Sequence, residues 1–165
     1  MRRRTWGFLG AGAAAAAVGV AAAASWSGGG ARTVEPRARA YRDVSVCLLT
    51  DGRGVSDPPA ASVWAGMEDA SSATHVMVSS LAVAGPGTAA NAVAYANTLV
   101  QQRCAVVLAV GAAQTSAVDQ MAARAPKVRF VLVGGGTPKA NVTVLAASGD
   151  PRSVVAQTVR NAVSG

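Results

Sequence analysis

With 165 residues and a formal net charge of +7, the chain has room for one domain, with about 120 residues left for a core once a leader and a spacer are set aside. The charge is concentrated ahead of that core. Arg2, Arg3, Arg4, Arg32, Arg37, Arg39 and Arg42 precede Asp43 with only Glu35 against them, whereas from Asp43 onward eight basic side chains face seven acidic ones. The near-neutral part has no basic stripe interleaved with aromatics, which argues against a nucleic-acid partner.

Residues 1–30 combine a three-arginine start, an apolar stretch from Trp6 to about Ala24 and small residues throughout. This is the layout of an export signal, or of an N-terminal membrane anchor if it is left uncleaved. Gly10-Ala11-Gly12 followed by Ala15 resembles a dinucleotide fingerprint only superficially, because no strand precedes it. Residues 31–42, rich in Arg with Glu35-Pro36 among them, read as a basic flexible linker. Any membrane contact is assigned to the N-terminal segment, and the chain is expected outside the cytoplasm, in the cell envelope or beyond. Residues 43–165 form the folded lobe.

The lobe opens on the apolar run Val46-Cys47-Leu48-Leu49, as a strand covered on both faces requires. Thr50-Asp51-Gly52-Arg53-Gly54 follows as a polar loop, and Asp57-Pro58 predicts an N-cap and first-turn proline for a helix from Pro58 to about Ser71. Val63, Met67 and Ala70 give that helix its apolar stripe. A second strand is expected over 76–84. Gly85-Pro86-Gly87 ends it before Thr88 caps a helix reaching about Arg103, with Val93, Ala96, Leu99 and Val100 facing the core. A third strand covers 105–110 and a third helix 115–125. A fourth strand, 128–133, runs into Gly134-Gly135-Gly136, and a short fifth covers 142–146. Asp150-Pro151 starts a closing helix with Val154, Val155, Thr158, Val159 and Ala162 as its apolar side.

Strands alternating with helices imply a three-layer α/β domain: a mostly parallel five-stranded sheet in the order 2-1-3-4-5, with helices on both faces. Ligands in such sheets lie beyond the carboxyl ends of the strands, where the strand order reverses. That point falls between the first and third strands. The loops 51–57 and 111–114 are therefore expected to line a crevice, with Asp51, Gly52, Asp57, Gly111 and Ala112 as the candidate ligand-binding residues. Asp51 is either a ligand acceptor or a turn-forming aspartate bonding its own loop amides, and Asp57 is expected first as the helix cap.

Together these segments resemble the basic membrane protein family of substrate-binding proteins, whose characterised members bind nucleosides for ABC importers. VCLLTDGRGVSD resembles the family's opening strand and loop, and VWAGM the aromatic-x-glycine step of its first helix. ANTLVQQRCAVVLAVG resembles its next helix, turn and glycine-ended strand, and VDQMAARAPKVRFVLV the helix, proline and strand beyond. The resemblance covers about residues 44–133, the family's first lobe. It implies a periplasmic-binding-protein-like lobe, a nucleoside-like small polar ligand and an ABC importer as partner. Two departures stand beside it. The second lobe that would face the crevice is expected to be missing, and Pro58-Pro59-Ala60-Ala61 stands where the family places a base-stacking aromatic. Losing both costs several kcal/mol of nucleoside binding. The alternative is a protein-interaction or homodimerisation module using the exposed crevice face.

Cys47 lies in mid-strand and Cys104 just before a strand, a stagger that favours two buried free thiols over a bridge, although export permits one. His75 is the sole histidine and has no cysteine or carboxylate cluster around it, so no metal site is expected. There is no Gly-x-Ser-x-Gly elbow and no phosphate-binding Gly-Lys-Ser or Gly-Lys-Thr loop. Neither an enzyme nor a cofactor is expected.

Overall fold

The computed structural model describes residues 40–164. The leader and most of the linker lie outside the described residues. Strand β1 (Arg42–Thr50) is followed by α1 (Ala60–Thr74), β2 (Val76–Ala82), α2 (Ala89–Gln101), β3 (Val106–Val110) and α3 (Ala112–Met121). A 3-10 turn (Ala122–Arg124), β4 (Arg129–Val133), β5 (Val142–Leu145) and α4 (Pro151–Ser164) complete the lobe. The five strands pair in the order β2-β1-β3-β4-β5, every pair parallel. Among the described residues no helix is long and apolar enough to cross a membrane.

Alternation along the central strands splits the core into two halves. Cys47 and Leu49, Val107 and Ala109, and Phe130 and Leu132 point to one face, where α2 and α3 cover them with Ala92, Ala96, Leu99, Ala117 and Val118. Val46 and Leu48, Val106 and Leu108, and Val131 and Val133 point to the other, under Val63, Met67 and Ala70 of α1 and Val155, Val159 and Val163 of α4. These continuous apolar runs are what a parallel sheet buried on both sides requires.

The helix ends show where local chemistry agrees with the sequence reading and where it differs. Thr88 caps α2, its hydroxyl accepting from the Asn91 amide at 3.3 Å, and Asp150 accepts from the Arg152 amide at 3.1 Å ahead of α4. Helix α1, in contrast, begins at Ala60, and its N-cap position is Pro59 with no side-chain cap. Asp57 is therefore not the cap. With prolines at 58 and 59, one of the two amides an Asp57 cap would bind does not exist. The Asp57 carbonyl accepts from Ala61 instead, at 3.0 Å.

Helix α3 starts at Ala112 rather than at Thr115, with Gly111 as its N-cap at φ 105°. The expected loop 111–114 is thus a cap and a first helical turn. On α2, Ala92 is buried and Val93 and Val100 are only half-buried; on α4, Val155, Ala156, Val159 and Val163 are buried and Val154 is exposed. In each helix the core stripe is turned by about one residue from the reading that counted only the larger apolar side chains.

The two cysteines form a disulfide, with Cα atoms 5.9 Å apart, which corrects the expectation of free thiols. The cause is the way α2 ends. Arg103 takes a left-handed conformation (φ 61°); its amide donates to the Val100 carbonyl at 3.0 Å, and the Cys104 amide to that of Leu99 at 3.2 Å. This Schellman arrangement folds Cys104 back over the sheet face that carries Cys47. Had residue 104 simply extended β3, the pairing of Val106 with Val46 would have left it level with Val44, about 10 Å down the strand.

Helices α1 and α4 lie directly against each other at Gly66. A Cβ there would run into the Arg152 carbonyl oxygen and sit 3.1 Å from the Val155 Cβ. Just outside this contact, the Arg152 guanidinium grips Asp69 with bonds of 2.7 and 2.9 Å.

Candidate functional site

The end of β1 and the end of β3 come together at the point where the strand order reverses, as expected for a ligand crevice. A small cleft of about 90 Å³ opens there, with Asp51, Arg53, Asp57, Pro58, Val110 and Gly111 among the residues lining it. Of the residues expected from sequence, Asp51, Asp57 and Gly111 line the cleft. Gly52 and Ala112 do not: Gly52 turns toward β2, where a Cβ would stand 3.3 Å from the Val83 carbonyl, and Ala112 is an exposed first residue of α3. Gly111 is required by its positive φ of 105°.

Arg53 organises the site. Its backbone amide donates to Asp51 Oδ1 at 3.0 Å, and its Nε and Nη2 donate to Asp51 Oδ2 at 3.3 and 3.1 Å. Its Nη1 stands 3.5 Å from Asp57 Oδ2. One guanidinium thus bridges both candidate carboxylates. The Gly54 amide closes the turn on the Asp51 carbonyl at 3.0 Å, with Gly54 at φ 67°. Asp51 is in the first instance the turn-forming aspartate of the sequence reading. The signal for Arg53 was present in the sequence, since it stands two residues after Asp51 and four before Asp57, within reach of both.

The Arg53 amide, helped by its guanidinium, holds the Asp51 carboxyl below its ordinary range. Asp69 is lowered in the same direction by the Arg152 hydrogen bond, and Asp119 by that of Lys139. For each group the folded state favours the ionised form, so its contribution to stability is present above the ordinary carboxylate value and is lost as pH falls through the depressed one. The melting temperature is therefore expected to decline from about pH 4 downward, and less steeply in Asp69→Asn. Identical acid limbs for the variant and the parent would remove the Asp69–Arg152 pair as a contributor. The groups are only half-buried and open to solvent, so the effect is small.

Among the described residues no group of three or more His, Cys, Asp or Glu side chains is placed to hold a metal ion. A volume of 90 Å³ is well below the roughly 300–1,000 Å³ of small-molecule pockets. The cleft can seat a small polar or charged group against Asp51 and Asp57; it cannot enclose a nucleoside.

No family model matches the chain, and no curated protein matches it. Comparison with solved structures finds a shared fold in one case and a weaker likeness in another. One, described as "putative lipoprotein from Peptoclostridium difficile 630 (fragment)", superposes with a TM-score of 0.62 at 15% identity, covering 73% of this chain and 98% of that one. Another, from the ABC transporter system solute-binding proteins of Aeropyrum pernix K1, gives a TM-score of 0.47 at 18% identity over 61% of this chain. This chain spans 28% of that protein's length. At 15% identity the likeness to the first of these is one of fold alone.

Proposed function

We propose that this chain is an exported, non-catalytic binding lobe of the solute-binding-protein type, presenting a shallow crevice for a small polar ligand at the strand-order reversal. The observation that carries this reading is the convergence of Asp51, Asp57 and the Gly111 helix start on one cleft at the carboxyl end of the sheet. The Cys47–Cys104 bridge supports an oxidising compartment, and hence export. The resemblance to the basic membrane protein family points the ligand search toward nucleosides delivered to an ABC importer. The cleft's size and the bridging Arg53 favour weak binding by the lobe alone.

A second reading has its own support. Both carboxylates are already engaged by Arg53, which suits a flat docking face, completed by a protein or a second copy, as well as it suits a ligand pocket.

A thermal-shift series against nucleosides, purine bases and small amines, with solution mass measured in the same buffer, separates the two. A ligand at ten times its dissociation constant stabilises by about 1.4 kcal/mol, a rise of roughly 5 °C. Arg53→Ala is expected to enlarge the shift for a cationic ligand, and Asp51→Ala to abolish it. A flat series in both the parent and Arg53→Ala, with a dimeric mass, would transfer the crevice to the docking reading. A flat series with a monomeric mass would overturn self-docking as well.

A further inference from the structure

The end of the lobe opposite the crevice is strongly basic. All strands are parallel, so their starts share one end. The segments leading into β1, β3 and β4 carry Arg42, Arg103, Arg124, Lys127 and Arg129, with Asp43 as the one carboxylate in those segments. All five cations are exposed. Among the described residues Arg42, Arg103, Arg124 and Lys127 take part in no ion pair. Three of them, Arg103, Arg124 and Lys127, rim an open groove of about 500 Å³ with Val100, Pro126 and Val128 among its apolar residues. The crevice end, by contrast, is acidic on balance, with the one guanidinium of Arg53 between two aspartates.

We propose that this strand-start end is a docking face for an anionic lipid surface. An apolar groove rimmed by cations matches the chemistry of a phosphate headgroup, with its charge at the rim and its glycerol and upper acyl carbons over Pro126 and Val128. The route of the chain agrees with this. It enters the lobe at Arg42 on this same end, and Arg37 and Arg39 stand only a few residues upstream. The folded lobe thus adds its own membrane contact to whatever the N-terminal segment makes, and it does so with the crevice directed away from the bilayer. The proposal does not depend on the crevice having a ligand, so the two readings fail separately.

The test uses the full chain and two vesicle compositions, phosphatidylcholine alone and phosphatidylcholine with 30% phosphatidylglycerol. The ratio of the two partition coefficients isolates the charge-dependent part from any apolar insertion of residues 1–30. Each basic residue near an anionic surface is worth about fivefold in partitioning, so the triple variant Arg103→Gly, Arg124→Gln, Lys127→Gln is expected to lose about 100-fold of that ratio. Glycine keeps the left-handed backbone at position 103. The double variant Arg124→Gln, Lys127→Gln, which leaves the end of α2 untouched, is expected to lose about 25-fold, and serves if the triple variant melts early. The preference should weaken as salt rises. An unchanged ratio in the double variant would place the attraction in the N-terminal arginines and overturn the proposal. So would a parent chain that prefers a single-stranded oligonucleotide to the phosphatidylglycerol vesicles at the same salt.

Discussion

Reduction of the Cys47–Cys104 bridge is expected to lower the melting temperature of the lobe by about 15 °C. The bridge joins positions 57 apart in sequence, and closing a loop of that length removes unfolded-chain entropy equivalent to about 4 kcal/mol. A domain of this size has only about 5–15 kcal/mol of net stability in total. Both cysteines are buried on the α2–α3 side of the sheet, so a reductant reaches them mainly when the fold opens, and the loss should appear slowly at low temperature. The double variant Cys47→Ala, Cys104→Ala should melt close to the reduced parent in either buffer. If the oxidised and reduced forms melt within about 2 °C of each other, the bridge is not a determinant of stability. The support it gives to an exported protein then falls with it.

The second large effect is expected at Gly66. Helix propensity alone predicts that Gly66→Ala, in the interior of α1, stabilises by about 1 kcal/mol. The packing predicts the opposite sign, because the new Cβ meets the Arg152 carbonyl, a backbone atom that cannot rotate away. Overpacking of this kind costs about 1–3 kcal/mol. Gly66→Leu, which forces α1 and α4 apart, is placed at the upper end, about 3 kcal/mol. Urea unfolding midpoints measure both. A stabilised Gly66→Ala would mean that α4 does not seat against α1 at this residue. The consequence would extend to the core, because Val155, Val159 and Val163 of α4 complete the half of it beneath β1, β3 and β4.

The architecture was legible because it rests on strong, short-range signals. The apolar runs at 46–49, 106–110 and 128–133, the breaks at Gly85-Pro86-Gly87 and Pro126, and the caps at Thr88 and Asp150 lead directly to the parallel sheet and its strand order. What could not be read depended on backbone direction at single residues. A left-handed arginine at 103 decides whether two cysteines meet, and no residue-type preference marks an arginine for that conformation. A second proline after Asp57 moves a helix start and frees that carboxylate for Arg53. A cleft opens where the topology places one, at the carboxyl ends of β1 and β3. Its lining was read only in part: Arg53 was missed, although its place between Asp51 and Asp57 puts both carboxylates within reach of one long side chain.

Strand β1 runs from the basic end of the lobe to the crevice, and its nine residues span about 26 Å. At physiological ionic strength the field of an exposed charge decays over about 8 Å, so three such lengths separate Arg42 from Asp51. A charged surface held against the strand starts is damped to roughly a twentieth by the time it reaches the two aspartates. The lobe is in effect an electrical stand-off, in which the ionised state of Asp51 is favoured by Arg53 beside it and is insulated from what the far end touches. Changing the surface beneath the lobe should leave the crevice chemistry as it was.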